Sequence, residues 1–358
     1  MALLIDNEIS SQLMNMGDCL QALTEAFLEE GRGEATGRNK SSIHVPTSRS
    51  DEWYRYASME GASRRLKVAA TRIKSDVVSW PKGPGGSREF KWTGRRGKFG
   101  GLILLFSTET GELLAILNDG WLQHVRVGAT YAIGTKLQAR EDAKVVGLLG
   151  TGGMARTYIE ALSHLGLIKR LQVFSPNEHH LRSYVDEMRD QFDLDVKIAS
   201  SPQAAMTGVD IVASMTDSME PTIESGMLAP GIHATTVSNW ELHPEAYRRV
   251  DRMVTYRDGI SEHHYTTPED IRPYRVGGSY GETAKHESVV ARDHIHKLTD
   301  VMHGRAQGRK KPEEITYFRA QGTGVQFAAI AAFAYERARE RGLGRELPAD
   351  WFLQDIRT

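Results

Sequence analysis

The feature that most constrains the fold is a glycine-rich turn between a short apolar strand and a helix. The strand is predicted over residues 144–149, and the turn has the spacing Gly-x-Gly-x-x-Ala. The first glycine permits a tight turn, the second lets the backbone approach a pyrophosphate, and the small third residue lets helix and strand pack closely. We therefore predict a dinucleotide site, whose pyrophosphate would be held by Gly150, Gly152, Gly153, Met154 and Ala155.

The segments around this turn predict a parallel sheet. Helical segments separate a series of short apolar segments that have the length of buried strands: residues 144–149, 171–175, 196–199, 210–215, 231–237 and 252–256. Strands that alternate with helices form βαβ units, in which parallel strands are joined by crossover helices. The sequence thus predicts an α/β fold with a Rossmann-type doubly wound parallel sheet domain.

The end of the second predicted strand bears on the choice of dinucleotide. A carboxylate at this position would bind the ribose 2′-hydroxyl of NAD, but this chain has Ser175 and Asn177 there. His179, His180 and Arg182 follow, and they could attract a 2′-phosphate or form the solvated start of a helix. The sequence therefore favours NADP weakly and leaves NAD open.

The N-terminal half is predicted to contain strands and one clear helix. The helix is expected over residues 19–30, with Asp18 and Gln21 as a capping box. Two apolar runs, residues 101–106 and 113–117, predict a β-hairpin. A glycine-rich basic connection, residues 81–101, is either a solvated loop or a flap over an anionic ligand. A long C-terminal helix over residues 326–341 is expected to pack back on this half.

Composition excludes several classes of protein. The 358 residues suffice for two domains, and a net charge of −1 argues against a dedicated nucleic-acid binder. The longest apolar run, residues 327–335, is about half of the roughly 18 residues that a membrane span needs. The first six residues are too short for a signal-peptide core. We predict a cytoplasmic protein that binds no nucleic acid and no membrane, and the histidines show no spacing for a metal site.

Several further motifs, in the same order along the chain, resemble those of the ornithine cyclodeaminase/mu-crystallin family. They are the hairpin, the helix start His-Val-Arg-Val-Gly-Ala, the Thr-x-Ser-x-x-Pro segment and the C-terminal helix. In this sequence they fall within residues 105–115, 124–129, 210–221 and 322–344. The resemblance covers most of the chain, and motifs in one order are more specific than any one alone.

The resemblance implies a two-domain fold. An α+β domain for substrate binding and dimerisation would comprise residues 1–125 and 325–358. The Rossmann dinucleotide-binding domain would comprise residues 126–324. The active site would lie in the cleft between them, and a homodimer would be the usual assembly.

The resemblance also implies hydride transfer at a carbon that bears nitrogen, on a small carboxylate-bearing imine or amino acid. Arg126 matches the family's carboxylate-binding arginine, whose planar fork suits bidentate capture; the alternative is a domain-linking ion pair. Lys40 or Arg38 would correspond to a second family arginine. Thr216 and Ser218 would lie near the ribose and the nicotinamide.

One departure from the family concerns a lysine expected after a Met-containing segment. Here Met59 precedes Arg72, which lies near the expected place, and Lys74 follows two residues on. Residues two apart in a strand share a face, so both cations could contact one ligand or could lie exposed on an edge strand. A desolvated lysine can relay a proton and an arginine cannot. Acid–base chemistry would then fall to Lys74, Lys67 or water, and Arg72 and Lys74 are both catalytic candidates.

A second departure concerns an aspartate that cyclodeaminases use. Asn239 falls roughly at that position, and asparagine cannot act as a general base near neutral pH. Cyclodeamination needs a proton acceptor for the attacking amine, whereas imine reduction needs a hydride and one proton. A third departure is Ala320 before Gln321 and Gly322, where the family often has serine.

We therefore predict an NAD(P)-dependent oxidoreductase, either an imine or ketimine reductase or an amino-acid dehydrogenase. One alternative is an ornithine cyclodeaminase, which a carboxylate such as Glu241 facing the nicotinamide would favour. Another is a non-catalytic family member that binds the dinucleotide without turnover. The substrate is not predicted, because the residues that would select it lie in the divergent N-terminal half.

Overall fold

A computed structural model describes residues 1–83, 86–256, 262–266, 290–320 and 322–356. Its helices in this part of the chain are α1 (Asn7–Leu13), α2 (Met16–Gly31), α3 (Gly120–Gln138), α4 (Gly153–His164), α5 (Glu178–Phe192), α6 (Pro202–Ala205), α7 (Pro244–Tyr247), α8 (Leu298–Met302) and α9 (Gly324–Arg341). Within the described residues, no helix has the length and apolar character needed to cross a membrane.

The first sheet is mixed and mostly antiparallel. Its strands are β1 (Ala2–Ile5), β2 (Ala35–Gly37), β3 (Ser41–Pro46), β4 (Trp53–Ser63), β5 (Val68–Ser79), β8 (Phe90–Trp92), β9 (Gly101–Ser107), β10 (Leu113–Asn118), β17 (Glu262–Tyr265) and β20 (Arg345–Leu347). The order is β17-β3-β4-β5-β9-β10-β1-β20, with β2 beside β4 and β8 beside β5. A separate ribbon pairs β6 (Lys82–Gly83) with β7 (Gly86–Ser87).

One face of the first sheet is covered by helices. Along β4, buried residues alternate with half-buried ones, as expected for a strand with one face against a core. Helix α9 packs on β4 and β5 and also contacts α2. The prediction that the C-terminal helix returns to the N-terminal half is therefore confirmed.

Close approach of α9 to β4 depends on two glycines. A Cβ atom on Gly324 would lie 1.8 Å from the backbone carbon of Glu60, and one on Gly61 would lie 2.3 Å from the backbone of Gly324. No side chain larger than hydrogen fits either position without moving the backbone. The start of α9 is consequently fixed against the middle of β4.

The second sheet is parallel. Its strands are β11 (Val145–Leu149), β12 (Arg170–Phe174), β13 (Asp195–Ile198), β14 (Ile211–Ser214), β15 (His233–Thr236), β16 (Arg252–Thr255), β18 (Ile295–Lys297) and β19 (Thr316–Arg319). The order is β13-β12-β11-β14-β15-β19-β16-β18. The chain order reverses beside β11, so the glycine-rich turn lies at the switch point where such sheets bind ligands.

The structure corrects some local predictions. Helix α2 begins at Met16, and its capping box pairs Asn15 with Asp18, because Asn15 takes the cap position that the sequence analysis gave to Asp18. Helix α5 begins at Glu178, because the Asn177 side chain accepts from the His180 N–H, so His179, His180 and Arg182 lie in its first turns. Strand β17 lies within the segment predicted for the Rossmann domain but pairs with β3 of the first sheet.

Candidate active site

The glycine-rich turn leaves room for a phosphate at the start of α4. Gly150 has a φ of 97°, and a Cβ atom there would lie 2.5 Å from the Met215 carbonyl oxygen. Gly152 caps α4 without any side-chain hydrogen bond, and no atom lies within 4 Å of the position its Cβ would take. The space beside Gly152, at the N-terminus of α4, is therefore open, as the approach of a pyrophosphate requires. Ala155 is fully buried, and Gly153 and half-buried Met154 complete the turn.

The residues predicted to contact the adenosine half of the dinucleotide lie at the end of β12. Half-buried Ser175 follows the strand directly. Asn177 caps α5, so its side-chain oxygen is already engaged by the His180 N–H at 3.0 Å. Arg182 is exposed and lies 3.9 Å from Glu178. No carboxylate occupies residues 175–177, but Arg182 has an acidic neighbour in Glu178.

Thr216 and Ser218 are held by Glu241. The Thr216 N–H and hydroxyl donate to Glu241 Oε1 at 3.0 and 2.7 Å, and the Ser218 N–H donates to the Thr216 hydroxyl at 3.1 Å. The Ser214 hydroxyl donates to Oε1, and the Ser238 N–H donates to Oε2, both at 2.7 Å. Burial raises the pKa of Glu241 to about 7, against the effect of these bonds. Glu241 therefore fixes the loops after β14 and β15.

Asn239 lies in the same segment as Glu241 and is half-buried. Its backbone carbonyl accepts from the Tyr247 hydroxyl at 3.2 Å. Neighbouring Trp240 donates its indole N–H to the Ser218 carbonyl at 2.6 Å. The two loops that flank the predicted nicotinamide position are thereby joined to each other.

Arg126 is buried among neutral partners. Nη1 donates to Gln326 Oε1 at 2.9 Å, and Nη2 donates to Gln123 Oε1 at 2.8 Å. Within the described part of the chain, no carboxylate forms an ion pair with it. Burial and the nearby Arg72 lower its pKa to about 9. The positive charge of a buried guanidinium is not neutralised by amide partners, so such a group can bind an anion.

Arg72 has the opposite surroundings. Its Nε donates to Asp119 Oδ2 at 2.7 Å, and both side chains are buried. The Phe327 ring lies under both guanidiniums, 5.5 Å from Arg72 and 4.9 Å from Arg126. Met59 is opposite Arg72 in the β4–β5 register. A Cβ atom at Gly322 would lie 3.0 Å from Arg126 and 3.2 Å from the Met59 sulfur. Arg72, Arg126, Phe327, Met59 and Gly322 thus form one buried surface, which we call the floor.

Lys74 and Lys40 extend this floor. Lys74 Nζ lies 2.7 Å from Asp76 Oδ2. Burial, Lys91 and Arg55 lower its pKa well below the ordinary value. Lys40 is half-buried, and burial together with Arg55 lowers its pKa to about 7, against the opposing effect of Glu89. Both lysines therefore exchange protons more readily than a lysine in water, as acid–base chemistry requires.

The basic connection contacts the parallel-sheet half of the chain through one short stretch. The Glu89 N–H donates to the Asp217 carbonyl at 3.2 Å, and the Met219 N–H donates to the Ser87 carbonyl at 2.9 Å. Residues 94–99 are exposed, and Pro84 and Gly85 lie outside the described residues. One part of the connection is therefore anchored to the loop after β14, and another part is exposed; whether it covers an anionic ligand stays a prediction.

Some residues of the floor were missed at the level of sequence. Gln123 and Asp119 carried no recognisable signal, and Phe327 was visible only as the start of an apolar run, because their roles depend on which helix faces the first sheet. Gln326 was visible only as part of the C-terminal motif. Among the described residues, no group of three or more His, Cys, Asp or Glu side chains could hold a metal ion.

Comparisons with known proteins agree on family and fold. The model of the ornithine cyclodeaminase/mu-crystallin family matches residues 93–342. A delta(1)-pyrroline-2-carboxylate reductase from Bacillus cereus is 27% identical over 253 residues, which span 69% of this chain and 74% of the relative.

Two solved structures have the same fold. One is the delta(1)-pyrroline-2-carboxylate reductase of Thermococcus litoralis in complex with NADH and L-proline, with a TM-score of 0.76 and 23% identity over 96% of this chain and 100% of that one. The other is an archaeal alanine dehydrogenase dimer with bound NAD, with a TM-score of 0.76 and 21% identity over 97% of this chain and 99% of that one. The predicted fold class is confirmed.

Proposed function

The chain belongs to the ornithine cyclodeaminase/mu-crystallin family, and we propose that it is an NAD(P)-dependent oxidoreductase acting on the C–N bond of a carboxylate-bearing imine or amino acid. The observation that carries this proposal is Arg126, a buried guanidinium bonded to two amide oxygens. A substrate carboxylate would satisfy that charge. The relatives named as reductases and dehydrogenases of such compounds support the same reaction class.

Each part of the site has a role in this reaction. Gly150, Gly152 and the first turn of α4 would hold the pyrophosphate, and the nicotinamide supplies or accepts the hydride when bound. Arg126 would fix the carboxylate and so orient the C–N bond. Lys74, with Lys40 beside it, would hold or move the proton on nitrogen. Arg72 would keep the floor rigid through Asp119, because an arginine does not exchange protons near neutral pH.

A cyclodeaminase is less well supported. That reaction needs a free carboxylate near the nicotinamide, and both oxygens of Glu241 accept hydrogen bonds from the protein. A non-catalytic dinucleotide-binding protein is the second candidate. It is favoured by one observation, namely that Lys74 is paired with Asp76 and Arg72 with Asp119.

The absence of a carboxylate at residues 175–177 supports NADP over NAD as the cofactor. The neighbouring Glu178 opposes a 2′-phosphate, so the preference is expected to be small. Titration of intrinsic fluorescence with NADPH and NADH measures it. A dissociation constant lower for NADH would reverse this assignment.

We also propose a homodimer formed through the outer face of the first sheet. Leu4, Ile43 and Leu102 are exposed there, on strands β1, β3 and β9. A second copy would bury them, and one solved relative is a dimer by its own description. Residues 1–125 with 325–358 would form the dimerising, substrate-binding domain, and residues 126–324 the dinucleotide-binding domain.

The enzyme proposal is tested by NADH and NADPH oxidation with 2-oxo acids plus ammonia or methylamine, and with preformed cyclic imines. We expect turnover that Arg126→Met lowers at least 100-fold, because a buried charged hydrogen bond is lost. Arg248→Met, at an exposed arginine, is the matched control. Binding of cofactor without turnover of any compound would favour the non-catalytic candidate, and ammonia release from ornithine would favour the cyclodeaminase.

A further inference from the structure

Helices α3 and α4 pack closely, with a glycine at each of two contacts. A Cβ atom on Gly128 of α3 would lie 2.4 Å from the Thr157 carbonyl oxygen of α4. A Cβ atom on Gly153, the first residue of α4, would lie 2.6 Å from the His124 ring of α3. Both helices advance by the same number of residues from one contact to the other, so they run parallel. His124 therefore lies against the start of α4, beside the glycine-rich turn.

The His124 ring is oriented by its own helix. Its Nδ1–H donates to the Gly120 carbonyl oxygen at 2.7 Å, because a carbonyl oxygen can only accept. The opposite edge of the ring faces α4, and Nε2 lies 2.8 Å from the position that a Cβ atom on Gly153 would take. Within the described residues, no protein group forms a hydrogen bond with Nε2. The half-buried side chain thus presents one unbonded ring nitrogen at the start of α4.

The same region is where the pyrophosphate of a dinucleotide would lie. Gly152 and Gly153 are both exposed, and the space beside Gly152 is open. The first N–H groups of an α-helix have no partner within the helix, and they bind phosphate groups in dinucleotide sites of this kind. A phosphate bonded to the Gly153 N–H would lie beside the His124 ring.

The ring can bind a phosphate only in its charged form. With Nδ1–H donating to Gly120, a neutral ring presents the lone pair of Nε2, which repels an anion. The imidazolium presents an N–H at the same position. Histidine changes its charge between pH 5 and 8, and a nearby anion favours the protonated form. His124 would then add a charged hydrogen bond to the neutral ones from α4.

No counter-charge for this imidazolium comes from the protein residues that the structure describes. Helix α4 packs on the ring, and α1 reaches the start of α3 through Asn7, whose side-chain oxygen accepts from the Trp121 N–H. The ionisable side chains here are Glu8 on α1; Asp119, Arg126, Tyr131 and Lys136 at the start of α3 or on it; and Arg156, Tyr158, Glu160 and His164 on α4. None of them forms an ion pair or a hydrogen bond with His124. The pyrophosphate would supply the missing negative charge.

We propose that His124 is a cofactor-binding residue of this chain, whose imidazolium donates Nε2–H to the pyrophosphate of the dinucleotide. This inference rests on the dinucleotide site of the proposed function, and it adds a titratable charge to that site. Cofactor binding would take up a proton, so affinity would fall as pH rises. Arg126 lies two residues further on, about 200° around the helix. One helix would thus contact the cofactor on one side and the substrate on the other.

Binding of ADP-ribose to the full-length protein tests this contact without turnover. ADP-ribose contains the pyrophosphate but lacks the nicotinamide and any 2′-phosphate. We expect His124→Leu, a change to a side chain of similar volume, to raise the dissociation constant about 10-fold at pH 6. A charged hydrogen bond contributes a factor of about 10 to 100. Isothermal titration calorimetry measures the constant, and equal constants for wild type and variant at pH 6 would overturn the proposal.

The pH profile separates a charged contact from a packing role. Between pH 6 and 8 the wild-type dissociation constant should rise about 10-fold, towards that of His124→Leu, because the imidazolium is lost. His124→Gln, whose amide donates an uncharged hydrogen bond, should bind with an intermediate constant that does not rise in this way. If His124→Leu weakened binding by the same factor at every pH, the histidine would have a packing role and the proposal would be wrong.

A control and a second ligand complete the experiment. His164→Leu makes the same change at the exposed last residue of α4 and should alter neither the constant nor its pH profile. A wild-type chain that binds neither ADP-ribose nor NADH would overturn this inference together with the proposed function. Binding with the expected His124 effects, but without turnover of any imine, would support the inference and overturn the enzyme proposal alone.

Discussion

Two arginines that stack on one ring show how surroundings set the role of a side chain. Arg72 and Arg126 both stack on Phe327. Arg72 is neutralised by Asp119, whereas Arg126 meets the amide oxygens of Gln123 and Gln326. The first arginine is therefore part of the scaffold, and the second is available to a ligand. The sequence analysis made both arginines site candidates, Arg126 for a substrate carboxylate and Arg72 in the place of a family lysine, and it did not predict the pairing of Arg72 with Asp119.

The scaffold role of Arg72 leads to a stability prediction. Arg72→Met leaves Asp119 buried without its cation and should lower the free energy of unfolding by about 3–5 kcal/mol. The double variant Arg72→Met/Asp119→Asn removes both charges and should be more stable than Arg72→Met alone. Urea unfolding of the wild type, of Arg72→Met, of Asp119→Asn and of the double variant measures the coupling free energy of the two side chains. Additive losses would show that the pair is not coupled.

Glu241 leads to a prediction about pH. Its pKa is about 7 in the folded chain and its ordinary value is 4.5, so the folded state binds this proton more tightly. The stability that this carboxyl contributes is full below pH 4.5 and is lost as pH rises through 7. At about 1.4 kcal/mol per pKa unit, the loss is of the order of 3 kcal/mol.

Glu241→Gln tests this assignment. The amide accepts fewer hydrogen bonds than the carboxyl, so the variant should be about 1–3 kcal/mol less stable at pH 5. Because the amide does not titrate, the difference from wild type should shrink between pH 5 and 8 in denaturant unfolding. Glu245→Gln, at an exposed glutamate of the same segment, is the control. Parallel pH profiles for wild type and Glu241→Gln would contradict the assignment.

At the scale of elements, the contact between α9 and β4 sets the position of the floor. Gln326 and Phe327 reach Arg126 from the first turns of α9. That helix can start there only because Gly61 and Gly324 let the two backbones touch. The spacing of the C-terminal motif is thus a packing requirement as well as a site requirement.

The glycine contact gives a prediction with a matched control. Gly324→Ala forces a methyl group into the β4 backbone and should cost about 1–3 kcal/mol in stability, and it should also weaken substrate binding by displacing Gln326. Gly226→Ala introduces the same methyl group where no atom lies within 4 Å. Thermal unfolding and KM measure both effects. Equal stability of the two variants would show that α9 can shift freely.

At the scale of the whole molecule, the two sheets have different surfaces. The parallel sheet has helical connections between its strands, as βαβ units require. The first sheet has helices on one face and leaves leucine and isoleucine side chains exposed on the other. An apolar sheet face of this kind is typical of an interaction surface.

The proposed dimer is tested on that face. Leu102→Lys places a charge in the expected interface and should give a monomer in sedimentation equilibrium, because a buried lysine without a partner is costly. Ile198→Lys, at a similarly exposed residue of β13 in the other sheet, should leave the dimer intact. A wild-type chain that is already monomeric at micromolar concentration would contradict the proposal.

The sequence by itself determined the parallel sheet, the phosphate turn and the family, because these depend on local patterns: apolar runs, a glycine spacing and motifs in a fixed order. Tertiary structure decided which cations are neutralised. Asp119 and Glu89 are brought to Arg72 and Arg55 by the packing of the strands and by the docking of one short stretch of the basic connection. No spacing along the chain encodes those two encounters, since each joins segments whose separation is fixed only when the sheet and helices pack.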